Sequence, residues 1–463
     1  MRLIPSFQNL TEADTKTSIK YVLMIVWPIL LENLLGSVFG MVDMMMIGQL
    51  DDPKMSAAAV ASVGITNQAI YLGMDLTQAF NVGGTAIIAR YIGAKRKDEV
   101  PSVVMHVLIF STLFLTLPYS LLTTVFAREF MLFMGAKTDT LQAGLVYFRI
   151  LSSSFIFQGI VFALSAALRG GGEMKVPMKI NIFANALNVL GNACLIYGLF
   201  FFPKLGVIGA GLSTAISKFI SCLALLIYMS RSKTSLRLAW REKFNVKLSL
   251  LKDLLRIGIP ACGERLIMRL GIILYTRIVT GLGTSVYAAH QTALNICSLS
   301  FVPGNSFGIT ASTLVGQSLG EENPKKAQQY IRICRRLGLV ISMILAIVFY
   351  FFAREICSLY NNNVEVVANA VIALRLIALV QPFQCSTLIN TGALRGAGDT
   401  VYPMVVTLVC VLILRVSLAH IFIDYMGMAL AGAWVANMID QLCRYGLVSL
   451  RVLSGKWKNV KIS

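Results

Sequence analysis

The chain has 463 residues, of which 56% are hydrophobic and 14% charged, with a formal net charge of +19 and a mean hydropathy of +0.73. A soluble domain carries about 25% charged residues, so this composition excludes a chain coated with a water-facing surface. Excess charge of this size also raises nucleic acid as a partner, a question that the placement of the charges answers below.

A membrane span needs about 20 consecutive, mostly apolar residues. Twelve such stretches follow in chain order, near 19–49, 57–89, 101–126, 139–168, 175–201, 206–230, 253–281, 285–318, 333–353, 364–394, 400–424 and 427–452. The first follows a polar segment and is too long for the apolar core of a signal peptide. The pattern predicts an all-α membrane protein of 12 transmembrane helices. Pro28 and Pro260 lie in the first and seventh stretches. Each removes a backbone hydrogen bond and is expected to kink its helix.

Between the sixth and seventh stretches lies a strongly basic segment, 231–252, expected to connect two halves and rest against anionic headgroups. The domain reading is a six-helix lobe over 1–230, this connector, and a second six-helix lobe over 253–463. Loops on the side of the termini hold 28 Lys or Arg, the opposite side holds 5, and 8 lie within spans. Such asymmetry places both termini in the cytoplasm, with an inner-membrane location as the default. The basic balance reads as topology rather than as a nucleic-acid footprint. The nine cysteines are dispersed, without a Cys-x-x-Cys pair, so neither a disulfide framework nor a zinc site is expected.

The halves are copies. Ala167-Leu168-Arg169-Gly170 returns as Ala393-Leu394-Arg395-Gly396, and positions 149–178 match 375–404 at 10 of 30 positions without a gap. Pro28-x-x-x-Glu32 matches Pro260-x-x-x-Glu264, Thr85–Gly93 aligns with Ser312–Gly320, and Gly206-x-x-x-Ala210-Gly211 matches Gly427-x-x-x-Ala431-Gly432. An even number of spans per copy leaves both in the same orientation. The fold is therefore a 6+6 parallel repeat of two pseudo-symmetric lobes, with its working site at the seam.

A carboxylate at a helix centre costs about 2.5–3.5 kcal/mol on insertion scales, so each should face a cavity or a partner. The candidates are Glu32, Asp43, Asp75, Glu264 and Asp440. Asp43 has no cation near it in sequence. Such a carboxylate can carry a proton, or bind sodium with help from neutral oxygens. Asn188 and Asn192 share a helix face; they either ligate a cation beside Asp43 or join helices. Glu264 precedes Arg265, Arg269 and Arg277 and is either a coupling site or half of an ion pair. His290 reads as a packed polar residue. No phosphate loop or zinc-ligand spacing occurs, so neither an enzyme nor a resident cofactor is expected.

At these residues the chain resembles the multidrug and toxic compound extrusion family. The likeness is carried by Val42-Asp43-x-x-x-Ile47-Gly48, the two Ala-Leu-Arg-Gly copies, Gly209-Ala210-Gly211-x-x-Thr214, Tyr91-Ile92-Gly93-Ala94 and Gln317-Ser318-Leu319-Gly320. The resemblance implies a V-shaped pair of lobes around a central cavity. It implies a monomer that exports cationic amphipathic compounds by alternating access, in exchange for protons or sodium. It carries a cation site onto Asp43, Asn188 and Thr214, with Asn192 where the family often has Asp. It also carries a second coupling residue onto Glu264, with Gln384 near the place of an acid used by some members. Glu32 and Gln384 are expected to contact substrate. The rival reading is a lipid-linked precursor flippase, whose phosphate would meet Arg265, Arg269 and Arg277.

Overall fold

A computed structural model describes residues 15–48, 53–199, 202–238, 240, 245–361 and 363–460. Twelve long helical rods follow one another among these residues: α1 (Thr15–Gly48), α2 (Pro53–Gly93), α3 (Val100–Val125), α4 (Thr138–Gly170), α5 (Lys175–Tyr197), α6 (Gly206–Arg231), α7 (Leu248–Thr280), α8 (Thr284–Gly320), α9 (Pro324–Phe351), α10 (Val364–Gly396), α11 (Val401–Tyr425) and α12 (Ala429–Ser454). No strand occurs among the described residues. Lipid offers no partner for a backbone amide, so a spanning segment closes its hydrogen bonds internally. Eight of the rods are long and apolar enough to cross a membrane. The other four, α2, α7, α8 and α12, carry polar groups that face inward, as described below.

The ends lie close to those expected, with two differences. α9 begins at Pro324, where Asn323 caps the helix by accepting from Lys326 N at 3.0 Å. Its basic first turns are helical but too charged to read as a span. α7 begins at Leu248, so the end of the basic connector is already helix. The connector is held to the first lobe rather than free: Leu236 and Leu238 are buried in the core that also holds residues of α2, α3, α4 and α6, and Lys247 N donates to His106 Nε2 at 2.9 Å. Its Arg241 and Lys243 lie outside the described residues.

The duplication is legible in the backbone. Left-handed conformations recur in matched places: Lys95 with Glu322, Gly172 with Gly398, and Gly206 with Gly427. The close approaches are matched too. A Cβ on Gly93 would sit 2.0 Å from Gln317 O, and one on Gly320 would sit 2.1 Å from Arg90 O. Only glycine lets α2 and α8 cross this closely. The crossing clamps the lobes together at the end where α1 begins and α12 finishes.

The lobes are not cleanly 1–230 and 253–463. Val22, Ile25, Val26 and Ile29 of α1 are buried in the core formed by α8, α9 and α10. Reciprocally, Leu250, Leu254 and Ile257 of α7 are buried in the core of α2, α3, α4 and α6. Each first helix thus starts in the opposite lobe and crosses the seam. Pro28 and Pro260 sit at the crossing points, inside helices that continue through them. There each lifts one backbone restraint.

Candidate functional site

A cavity of about 530 Å³ lies between the lobes, walled by α1, α2, α4, α7, α8, α10, α11 and α12. Its charged groups form two ion pairs related by the repeat. Arg169 Nη2 donates to Glu32 Oε1 at 2.9 Å, and Arg395 Nη2 donates to Glu264 Oε2 at 2.8 Å. The Pro-x-x-x-Glu and Ala-Leu-Arg-Gly motifs, separate in sequence, are therefore the two halves of one device, built twice. Asn181 also donates to Glu32 Oε1, at 2.8 Å. A third pair joins the lobes directly: Arg269 Nη2 donates to Asp75 Oδ2 at 2.6 Å, from α7 to α2.

Glu264, read from the sequence as either a coupling residue or half of an ion pair, is the buried partner of Arg395 on the cavity wall. Its own neighbours Arg265 and Arg269 do not pair with it, because a helix turns them to other directions. Glu32 lines the cavity as expected, but as a paired carboxylate whose Oε2 is left without a partner. Gln384 does not line the cavity. Its amide is buried within α10, 2% exposed, with neither nitrogen nor oxygen partnered. Arg277 is not on the cavity wall either.

The second group sits in the first lobe, toward the end of α1. Asn192 Nδ2 of α5 donates to Asp43 Oδ1 at 2.8 Å. With its amide nitrogen turned toward Asp43, Asn188 donates to Oδ1 and Oδ2 at 3.1 and 2.9 Å, and its oxygen accepts from Thr214 Oγ1 at 3.0 Å. Turned over, the same nitrogen donates to Thr214 Oγ1 at 3.0 Å and Ser213 Oγ at 3.3 Å. Its oxygen then faces the carboxylate. Two acceptors repel unless a proton lies between them. The first orientation suits a charged Asp43, the second a protonated one. Asn192 Oδ1 stays buried and unpartnered beside them.

The structure thus brings Asp43, Asn188, Asn192 and Thr214 together. Asp43 is half-buried and bonded to no arginine among the described residues. The sequence reading missed Lys218 of α6, whose charge acts on Asp43 without reaching ion-pair distance. Its signal was present: Lys218 lies four residues after Thr214, on the same helix face. Tyr71 and Tyr147 complete the surroundings.

The second lobe does not repeat this arrangement. Tyr275 stands 232 residues after Asp43, the offset that carries Pro28 onto Pro260. The acid there is Asp440, fully buried and closed by Arg415, which donates from Nε at 3.0 Å and from Nη2, and by Arg444 Nη2 at 3.2 Å. A π-helical stretch, Leu408–Arg415, delivers Arg415 to it. His290 packs among the rings of Tyr275, Tyr287 and Trp434.

The MatE family profile matches residues 28–194 and 260–421, once in each half. The chain is 28% identical to the probable multidrug resistance protein NorM of Thermotoga maritima, over 95% of its own length and 93% of that protein's. It is 26% identical to the uncharacterized transporter YisQ of Bacillus subtilis, over 93% of each. Its fold matches a solved structure described as the outward-facing conformation of a multidrug resistance MATE family transporter of the MOP superfamily. The TM-score is 0.86 at 22% identity, covering 96% of this chain and 97% of that one. None of these is a lipid flippase by description. The twofold helical repeat, the paired carboxylates at its seam and the profile match in both halves lead to one statement: the chain belongs to the MatE family of multi-pass membrane transporters.

Proposed function

We propose that the protein is a secondary antiporter that exports cationic amphipathic organic compounds in exchange for protons or sodium, by alternating access. The observation that carries the reading is the Asp43 group. A carboxylate within the membrane is hydrogen-bonded by neutral amides, with Lys218 short of ion-pair distance and the Asn192 oxygen unpartnered beside it. A structural acid would be closed by arginine, as Asp440 is.

The chemistry follows from the amides. Protonation turns the Asp43 carboxyl from acceptor to donor and asks Asn188 to turn over, which re-aims its bonds to Ser213 and Thr214. Sodium would use the same oxygens: Asp43, Asn188, Asn192 and the Thr214 hydroxyl. Either ion then favours one arrangement of α1, α5 and α6. Cargo in the central cavity favours another, and transport requires that difference in affinity. The relatives' description as multidrug resistance proteins and the apolar side chains of Phe162, Met268, Ile309 and Leu388 among the cavity's polar lining support a varied organic cargo. The basic loops on the side of the termini support cytoplasmic termini in the inner membrane. The Asp43 group and the central cavity are each built from one chain, which supports a functional monomer.

The test is transport by purified protein in vesicles under separately imposed pH and sodium gradients, for the native chain and Asp43→Asn. Export driven by at least one gradient and lost in the variant supports the reading. Gradient-driven export by Asp43→Asn at the native rate refutes it.

A further inference from the structure

The central cavity has one cation more than its carboxylates can hold. Glu32, Asp75 and Glu264 line it and are matched by Arg169, Arg269 and Arg395, while Arg444 turns to Asp440. Arg265 also lines it and has no hydrogen bond or ion pair among the described residues. Its charged neighbours are Arg395, Glu264, Asp75 and Arg269, each already engaged.

The repeat makes the excess informative. The counterpart of Arg265 is Asn33, the residue after Glu32. Asn33 Nδ2 donates to Ser306 Oγ at 3.0 Å. One wall of a twofold site therefore has a neutral amide, and the other has an unpaired guanidinium. An unpaired guanidinium inside a membrane protein is expensive and tends to mark a ligand path. Met268, Phe162, Leu388 and Ile309 surround the space with apolar surface. At about 530 Å³ the space lies in the usual size range of drug-sized pockets. A planar guanidinium pairs a carboxylate through two parallel bonds. Across the seam, Glu32 lines the same cavity with the opposite charge, which suits an ammonium.

We propose that the cavity selects amphipathic compounds that carry a carboxylate, held by Arg265, with any cationic end directed to Glu32. This rests on the export reading and narrows its cargo to cationic amphiphiles that also carry a carboxylate. The probes are a zwitterionic xanthene dye with a free carboxylate and its methyl ester, which differ only in that acid. Equilibrium binding to purified protein in detergent is read by fluorescence anisotropy, independently of transport. The native chain is expected to bind the acid more tightly than the ester. Arg265→Gln is expected to weaken the acid about tenfold or more, the worth of a charged hydrogen-bond pair, and not to weaken the cationic ester, whose retained binding also reports an intact fold. Arg265→Lys recovers part of the loss, because a point charge lacks the fork. Equal binding of acid and ester by the native chain, or an acid affinity unmoved by Arg265→Gln, overturns the proposal. The same dyes in vesicles address the export reading separately: selective binding without gradient-driven transport sinks export and leaves the Arg265 site standing.

Discussion

At the scale of single residues, Asp43 and Asp440, one in each lobe, illustrate opposite uses of a carboxylate. Asp440 accepts hydrogen bonds from two guanidiniums, those of Arg415 and Arg444. Removing one partner of a buried ion pair typically costs about 3–5 kcal/mol, because the other charge stays behind. Asp440→Asn, which strands Arg415 and Arg444, is therefore expected to lower the thermal unfolding midpoint in detergent markedly. Asp43→Asn strands no ion pair within contact distance, and its amide still fits between Asn188 and Asn192. That variant should reach the membrane at native levels with an unfolding midpoint near that of the native chain, yet fail to export. A large fall in midpoint for Asp43→Asn, or none for Asp440→Asn, would reverse the roles assigned here.

Helices act here as pairs. The α2–α8 crossing depends on Gly93 and Gly320, whose missing side chains let each backbone touch the other helix. A methyl on Gly320 would meet the Arg90 carbonyl at 2.1 Å. Backbone cannot yield as a flexible side chain can, so α2 and α8 must part. The expected result for Gly320→Ala is a shift away from the state closed at the terminal end. Spin labels at the exposed positions 97 and 325 should show longer and broader separations than in the native background. Unchanged distances would mean that the crossing does not set the state. The first helices add a second coupling. Because α1 and α7 start in each other's lobes, any opening of the seam must bend them or drag their first halves along. Pro28 and Pro260 stand where that bend is cheapest.

Across the whole molecule, charge balance sets the energetics of exchange. Moving one elementary charge across 100 mV is worth about 2.3 kcal/mol. One proton entering for one monovalent cation leaving moves no net charge, so export of the cationic dye ester should ignore an imposed potential. A proton entering for a zwitterion leaving carries one positive charge inward. Export of the dye acid should therefore speed up when the inside is negative. Clamping the potential with a potassium ionophore in vesicles checks both, and an identical response of the two dyes would contradict one-for-one exchange. The 28-to-5 distribution of basic residues makes a further prediction. A C-terminal tag should survive protease added outside intact spheroplasts and be lost after lysis.

The amino-acid sequence by itself determined the number of spans, most of their ends and the duplication. Lipid enforces length and apolarity on every segment, and a tandem copy preserves its own spacing. It also marked Asp43, Asn188, Asn192 and Thr214, the last three by resemblance or helical spacing. The basic start of α9 escaped because helicity there rests on a cap and backbone bonds rather than on apolar residues. Only the tertiary structure decided that Glu32 belongs to Arg169 and Glu264 to Arg395, that α1 and α7 trade lobes, that Gln384 is buried off the cavity, and that Arg265 is left over. These are facts about partners more than a hundred residues apart. A one-dimensional pattern records which charges exist, while pairing depends on which helix faces meet once the chain is packed.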